Sequence, residues 1–150
     1  MKRLLLLFLL NASLFFAQEK VTVSDLVKLK FDNQFPNSLN ERWSKFYRGY
    51  DNEEVRYEVD FDFNSKHYLV SYDKNAVIKA IQESVAITDL LSTIKEFIHS
   101  QYAGFSINKA SKVTEEEGKV FYNVGIATEK DYLVLVFNHE GYYLYKSILK

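Results

Sequence analysis

The chain of 150 residues has no cysteine, one proline and five glycines. Without cysteine it can form no disulfide, and lipid attachment through a cysteine is excluded as well. So little proline and glycine argues against linkers, low-complexity segments and disorder. The formal net charge of −1 gives no electrostatic indication of nucleic-acid binding. The fold must therefore depend on a hydrophobic core, for which the chain is long enough.

The first residues are typical of a secretory signal peptide. Lys2 and Arg3 are basic, residues 4–10 are all apolar, and Ala17 leads into a polar stretch. This apolar segment is short for a membrane span but suits a signal sequence. We predict a signal peptide at residues 1–17, a periplasmic or secreted protein, and no membrane span after cleavage. The alternative is an uncleaved membrane anchor.

One hairpin, at residues 54–73, has the clearest pattern in the chain. Its first arm alternates between apolar and charged side chains, with the apolar positions at Val55, Tyr57, Val59, Phe61 and Phe63. A period of two is typical of a strand with one buried and one exposed face. The high aromatic content of 16% also favours sheet packing. We therefore predict a two-stranded hairpin here.

This hairpin has a weaker copy at residues 119–138. One constant offset in residue number, which we call the hairpin offset, relates the core positions of the two hairpins: Tyr57 with Tyr122, Val59 with Val124, and Phe61 with Ile126. A slightly longer one, which we call the leading offset, relates the segments before them, where Phe31 pairs with Ile98. The chain is therefore predicted to contain one unit used twice, which we call the first copy (about residues 21–86) and the second copy (about residues 87–150).

Each copy is predicted to begin with an amphipathic helix and to continue with four strands. Ser24 and Asp25 mark the start of the first helix, and Thr88 and Asp89 are expected to cap the second. We predict an α+β fold in which two α-β-β-β-β repeats form one antiparallel sheet of about eight strands, with two helices packed on one face. Residues 18–150 are expected to form this single domain.

Several short motifs match a known family: F-x-x-x-F-P-N at residues 31–37, Trp43, Y-E-V-D-F at 57–61, V-S-Y-D-K-N-A-V-I at 70–78 and Y-A-G-F-S-I-N-K-A at 102–110. With them the chain resembles the beta-lactamase-inhibitor-like, PepSY-like family of bacterial envelope proteins. The resemblance implies a small secreted or periplasmic domain shaped like beta-lactamase inhibitor protein, whose sheet surface clasps an enzyme. The matched positions are turns and core residues, so no inhibitory residue is carried over. Ala76 departs from the family pattern, which usually has glycine there.

No set of residues indicates catalysis or metal binding. The three histidines, His67, His99 and His139, have no short ligand spacing and are predicted to be solvated surface residues. Residues 60–64 begin like a calcium loop, but Ser65 stands where that loop requires glycine. We therefore predict that the protein is not an enzyme and needs no cofactor or metal.

The predicted sheet face away from the helices differs between the two copies. In the first copy it is acidic, with Glu58, Asp60 and Asp62. In the second copy it is largely apolar, with Phe121, Tyr132, Val134 and Val136. Exposed apolar surface of this kind marks partner sites. The alternative is that a C-terminal tail, a second subunit or the curvature of the sheet covers it.

These two surfaces lead to two functional hypotheses. The first is a non-catalytic domain that binds a protein partner in the cell envelope through the apolar residues, with inhibition of a peptidase or a beta-lactamase as one form of that binding. The alternative is an envelope protein that binds a small ligand or a cation through the acidic residues. The sequence leaves the oligomeric state open.

Overall fold

The computed structural model describes residues 21–48 and 54–147. The predicted signal peptide at residues 1–17 lies outside these ranges, and so do residues 49–52, whose polar sequence predicts a turn between the first two strands. The first copy contains α1 (Asp25–Gln34), β1 (Leu39–Arg48), β2 (Glu54–Phe63), β3 (Lys66–Asp73) and β4 (Ile78–Val85). The second contains α2 (Ser92–Gln101), β5 (Ser106–Glu115), β6 (Val120–Ala127), β7 (Tyr132–Asn138) and β8 (Tyr143–Ser147).

Helix α1 begins where the sequence predicts. The Ser24 side chain accepts a hydrogen bond from the Val27 backbone N–H at 3.4 Å and so satisfies one unpaired donor of the first turn. Val27 and Phe31 are four residues apart and fully buried. The apolar pattern of the sequence also predicts Leu26 on this side, but Leu26 is 55% exposed, because only about one residue in each turn of this helix is buried.

Helix α2 begins later than predicted. It starts at Ser92, whereas Thr88 and Asp89 belong to a separate 3₁₀ turn at Ile87–Asp89. The residue that precedes the helix is Leu91, and no side chain caps it there. The expected cap by Thr88 and Asp89 was therefore wrong.

The eight strands form one antiparallel sheet in which each strand pairs with the next in sequence. Short turns join most of the strands, which favours this order. Phe31 of α1 packs against Phe61 of β2, and the pairing register places Phe137, which α2 covers, on the same side of the sheet. The predicted α+β fold, with both helices on one face, is confirmed.

Strand pairing repeats along the chain with the hairpin offset. In the first copy Val59 pairs with Val70, and in the second Val124 pairs with Leu135. Both copies also have a register shift at the same place, between Ser71 and Tyr72 in the first and between Val136 and Phe137 in the second. The offset detected in the sequence therefore describes the strand register as well.

Each helix covers its own hydrophobic core. The first core is rich in aromatic residues and contains Phe31, Phe35, Tyr57, Phe61 and Tyr72. The second is mostly aliphatic and contains Leu90, Ile94, Ile98, Val124, Ile126 and Leu135, together with Phe137. Since both cores lie on the helix side, the opposite side, which we call the helix-free face, carries the alternate residues of every strand.

Candidate protein-binding face

The acidic part of the helix-free face is a network of paired charges. Asp60 lies opposite Arg42 on β1, and the Arg42 Nη2 donates to Asp60 Oδ1 at 2.8 Å. His67 Nε2 lies 3.2 Å from the other oxygen, Oδ2. Both oxygens of Asp60 therefore have a partner within the first copy.

Asp62 is held in the same network. Asn40 Nδ2 donates to Asp62 Oδ2 at 2.7 Å, and His67 Nδ1 lies 3.0 Å from Asp62 Oδ1. The hydrogen bond from Asn40, followed by that from His67, lowers the pKa of Asp62. In return the hydrogen bond to Asp62 raises the pKa of His67, and the charge of Asp60 adds to this effect.

These contacts involve two of the three acidic residues that the sequence predicts as a site for a small ligand or cation. Asp60 and Asp62 use their carboxylates on Arg42, Asn40 and His67. Glu58 lies on the same face, opposite Ser44 of β1 and Ser71 of β3. In the described parts of the chain, no group of three or more His, Asp or Glu side chains could hold a metal ion. His67, expected to be solvated, is half exposed but bridges two carboxylates.

The second copy places its predicted apolar residues on this face with different exposure. Tyr132 is 36% exposed, and Phe121 and Val134 are half-buried. Val136 is only 6% exposed, so the expectation that it forms open surface was wrong. Alternation along a strand tells which face a side chain lies on, but neighbours across the strands determine how much of it they cover.

Tyr145 extends this apolar surface and was missed in the sequence. It lies opposite Val136 on the edge strand β8 and is 56% exposed. The register shift between Val136 and Phe137 changes the alternation of β8, so its faces could not be assigned from the pattern alone. We call Phe121, Tyr132, Val134, Val136 and Tyr145 the apolar patch.

Tyr132 lies across a glycine. A Cβ at Gly125 would overlap the Tyr132 Oη and stand 3.1 Å from the Lys109 Cγ, so in this arrangement both side chains lie over a position without a side chain. The Lys109 Nζ lies 5.8 Å from the centre of the Tyr132 ring, within cation–π range. The glycine therefore fixes where the tyrosine and the lysine meet.

A groove of about 370 Å³ separates the acidic network from the apolar patch. It runs across β2, β3, β4 and β5, and we call it the seam groove; its lining includes Asp60, His67, Gln82, Ser84, Lys109 and Ser111. Leu69 and Ala110 contribute apolar surface. Its volume is at the lower end of the range for ligand-sized clefts.

Comparison with known proteins establishes the fold. A BLIP-like protein from Bacteroides fragilis superposes with a TM-score of 0.65 at 17% identity, over 86% of this chain and 88% of that one. The chain has the BLIP-like fold. A DUF2874 family protein from Bacteroides uniformis gives 0.68 at 16% identity, over 84% and 89% of the two chains. A protein from Bacteroides eggerthii, whose name assigns it provisionally to the periplasm, gives 0.71 at 14% identity, over 85% and 89%.

Two other comparisons gave nothing. No protein-family model matches the sequence, and no curated protein matches it either. In the described ranges, neither helix is long and apolar enough to cross a membrane. At these levels of identity the solved structures are evidence for the fold, and the function has to be argued from the helix-free face.

Proposed function

We propose that this chain is a non-catalytic envelope domain that binds a protein through its helix-free face. The observation that carries the proposal is the apolar patch on a face that neither helix covers. Tyr132 and Tyr145 are its most exposed members, and tyrosine is enriched at the centres of protein interfaces. The BLIP-like fold of the solved structures and the predicted signal peptide at residues 1–17 support an envelope partner.

A pull-down from envelope extract with the mature protein tests this proposal. We expect a specific protein to be retained by the wild type and lost from Tyr145→Lys and Val134→Lys, because a buried unpaired charge is costly in an interface. Leu29→Lys is the matched control, since Leu29 is 61% exposed on α1, on the opposite side of the sheet. Retention that is the same for all three variants would contradict the proposal.

Val136→Lys is unsuitable as a surface probe. The side chain is almost fully buried, so an introduced lysine would cost folding free energy whether or not a partner exists. The retained protein, once identified, also tests the narrower idea of inhibition. If it is a peptidase or a beta-lactamase, its activity should fall when the purified domain is added and should recover with Tyr145→Lys.

A further inference from the structure

The seam groove has free hydrogen-bond donors, whereas the carboxylate that lines it is already paired. Both oxygens of Asp60 have partners in the acidic network. The Ser84 Oγ accepts the His67 backbone N–H at 3.0 Å, which leaves the hydroxyl proton of Ser84 to donate. Ser111 is 9% exposed and lines the groove, and its hydroxyl makes no hydrogen bond to another described residue. The hydroxyl groups of Ser84 and Ser111 are therefore both available to donate to a ligand in the groove.

The groove also contains a cation that forms no ion pair within the described part of the chain. Lys109 forms no ion pair with any described residue; its ammonium group lies near the Tyr132 ring instead. The leading offset, which pairs Phe31 with Ile98, also pairs Lys109 with Arg42 in the first copy. Arg42, in contrast, is paired with Asp60. One cation is paired and the other is not, because different residues lie opposite them on the neighbouring strand.

Strand register shows why only one of the two cations has a carboxylate beside it. Arg42 lies opposite Asp60 between β1 and β2, and Lys109 lies opposite Gly125 between β5 and β6. His67 is the third residue of the network that Arg42 and Asp60 form in the first copy. By the hairpin offset it corresponds to Tyr132 in the second copy. The same three positions therefore meet in both copies, but the second retains the cation and has no carboxylate.

We propose that the seam groove binds the carboxylate of an aspartate or glutamate carried on an extended segment of the protein partner. Lys109 is its counter-ion, and the hydroxyls of Ser84 and Ser111 donate to it; charge-assisted hydrogen bonds of this kind are the strong ones. The carboxylate thus takes the place that Asp60 has beside Arg42. This inference rests on the proposed function, because it names the chemistry of the partner.

The shape of the groove favours a protein segment over a free carboxylate. It crosses four strands, which at the usual strand spacing is about 14 Å from β2 to β5 and suits an extended chain. The apolar patch continues directly from Lys109 through Tyr132. Residues that flank the acidic one would therefore find apolar surface beside the groove.

Capped heptapeptide pools with a fixed central residue and randomised flanks provide the probe. Pools centred on Glu, Gln and Lys are passed over the immobilised mature protein, and retention is measured by fluorescence. We expect the Glu pool to be retained about tenfold more than the Gln pool, with the Lys pool lowest. Equal retention of all three, or a preference for Lys, would overturn the proposal.

Substitutions in and beside the seam groove test where the peptides bind. Lys109→Met and Ser111→Ala should remove the preference for Glu, whereas Lys112→Met should keep it, because Lys112 lies on the same strand but on the helix side. Gly125→Asp combined with Tyr132→His rebuilds the first-copy arrangement and should also abolish the preference. Thermal unfolding of each variant verifies that it folds. A preference for Glu that persists in folded Lys109→Met would refute the assignment.

Three outcomes distinguish this inference from the proposed function and from the binding of a free small ligand. If the envelope pull-down depends on Tyr145 but not on Lys109, the protein-binding function stands and the carboxylate site falls. If N-acetylglutamate amide competes as well as the Glu peptides at the same concentration, the ligand is a free small carboxylate and the protein segment is refuted. If the Glu pool is retained but no envelope protein is captured, the preference of the groove for a carboxylate stands, but the proposed function and the protein partner both fail.

Discussion

The two copies place three side chains at the same positions of the sheet and give them different chemistry. In the first copy Arg42, Asp60 and His67 form a closed network of charges. In the second, Gly125 replaces the acid, so Lys109 has no carboxylate beside it and Tyr132 lies across the backbone. The comparison teaches that two halves of one sheet can share a strand register while the charges of one half pair with each other and the cation of the other half forms no ion pair with a described residue.

The two hydrophobic cores on the helix side of the sheet also differ in the side chains that they contain. Phe61 of the first copy packs its ring against Phe31 and Phe35, each 4.8 Å away between centroids. Its counterpart in the second copy is Ile126, which is equally buried but lies among aliphatic neighbours. The two halves thus bury similar positions with different kinds of contact.

The largest expected effect comes from emptying the aromatic core. Phe61→Ala should lower the free energy of unfolding by about 3–5 kcal/mol, because it leaves a cavity and removes the ring contacts. Ile126→Ala should cost less, about 2–4 kcal/mol. Urea denaturation of both variants measures the difference. A greater loss at Ile126 would break the comparison, since it would mean that the second core carries more of the stability.

The next effect concerns the turns that follow β3 and β7. Gly141 has a φ of +89°, and a Cβ there would clash with the Thr93 Oγ1, which donates to the Glu140 carbonyl oxygen. Gly141→Ala should therefore lower the free energy of unfolding by roughly 1–3 kcal/mol. Thermal unfolding measures the loss. An unchanged melting temperature would show that α2 can move away from this turn.

Ala76 is the matched test in the first copy. It has a φ of +61° and is 7% exposed. Glycine would relieve about 1–2 kcal/mol of backbone strain but would lose a buried methyl group worth about 0.8 kcal/mol and gain freedom in the unfolded chain. Ala76→Gly should thus stay within about 1 kcal/mol of the wild type by the same melting assay. A loss as large as that of Gly141→Ala would contradict this balance.

A smaller effect is expected from one hydroxyl group. Tyr72 is fully buried and its Oη has no hydrogen-bond partner among the described residues; burial raises the pKa of this hydroxyl far above its ordinary value. The second copy has Phe137 at this position, also fully buried. Tyr72→Phe should stabilise the protein by about 1 kcal/mol, and Phe137→Tyr should destabilise it, since an unpaired buried hydroxyl is unfavourable. If the urea midpoint instead falls for Tyr72→Phe and rises for Phe137→Tyr, then the Tyr72 Oη has a hydrogen-bond partner.

The smallest effect depends on pH and belongs to the first copy. The bond to Asp62 raises the folded-state pKa of His67, so its protonation stabilises the fold below the unfolded pKa of about 6.5. That stability is lost as the pH rises through the folded pKa. The wild type should lose up to about 1 kcal/mol more than His67→Gln between about pH 5 and pH 9, because exposed pairs are weak in water. If urea denaturation gives the same pH dependence of the free energy of unfolding for both proteins, then His67 does not contribute to the stability of the network.

The fold was largely predictable because its signal is local and repeated. Strict alternation identified the first hairpin, and β2 and β3 have the same outer limits as the predicted residues 54–73. The start of α2 was not predictable, since Thr88 and Asp89 are good capping residues that instead form a 3₁₀ turn. Tertiary packing overrode the capping preference, because Leu90 is buried in the second core.

The candidate site was only partly predictable. The helix-free face and four of its apolar residues followed from alternation, but the burial of Val136 and the exposure of Tyr145 did not. Lys109 and Ser111 gave no signal as single residues. The leading offset, which relates Arg42 to Lys109, was the one pattern that could have indicated them.

By itself the sequence determined the order of the elements, the antiparallel sheet and which residues share a face, because these depend on periods of two and of about 3.6 residues along the chain. Only the tertiary structure decided which charges neutralise one another and which stay open. Those pairings join residues such as Arg42 and Asp60, which are 18 positions apart. Distances across strands therefore determine that Asp60 is paired with Arg42 and that Lys109 forms no ion pair with a described residue.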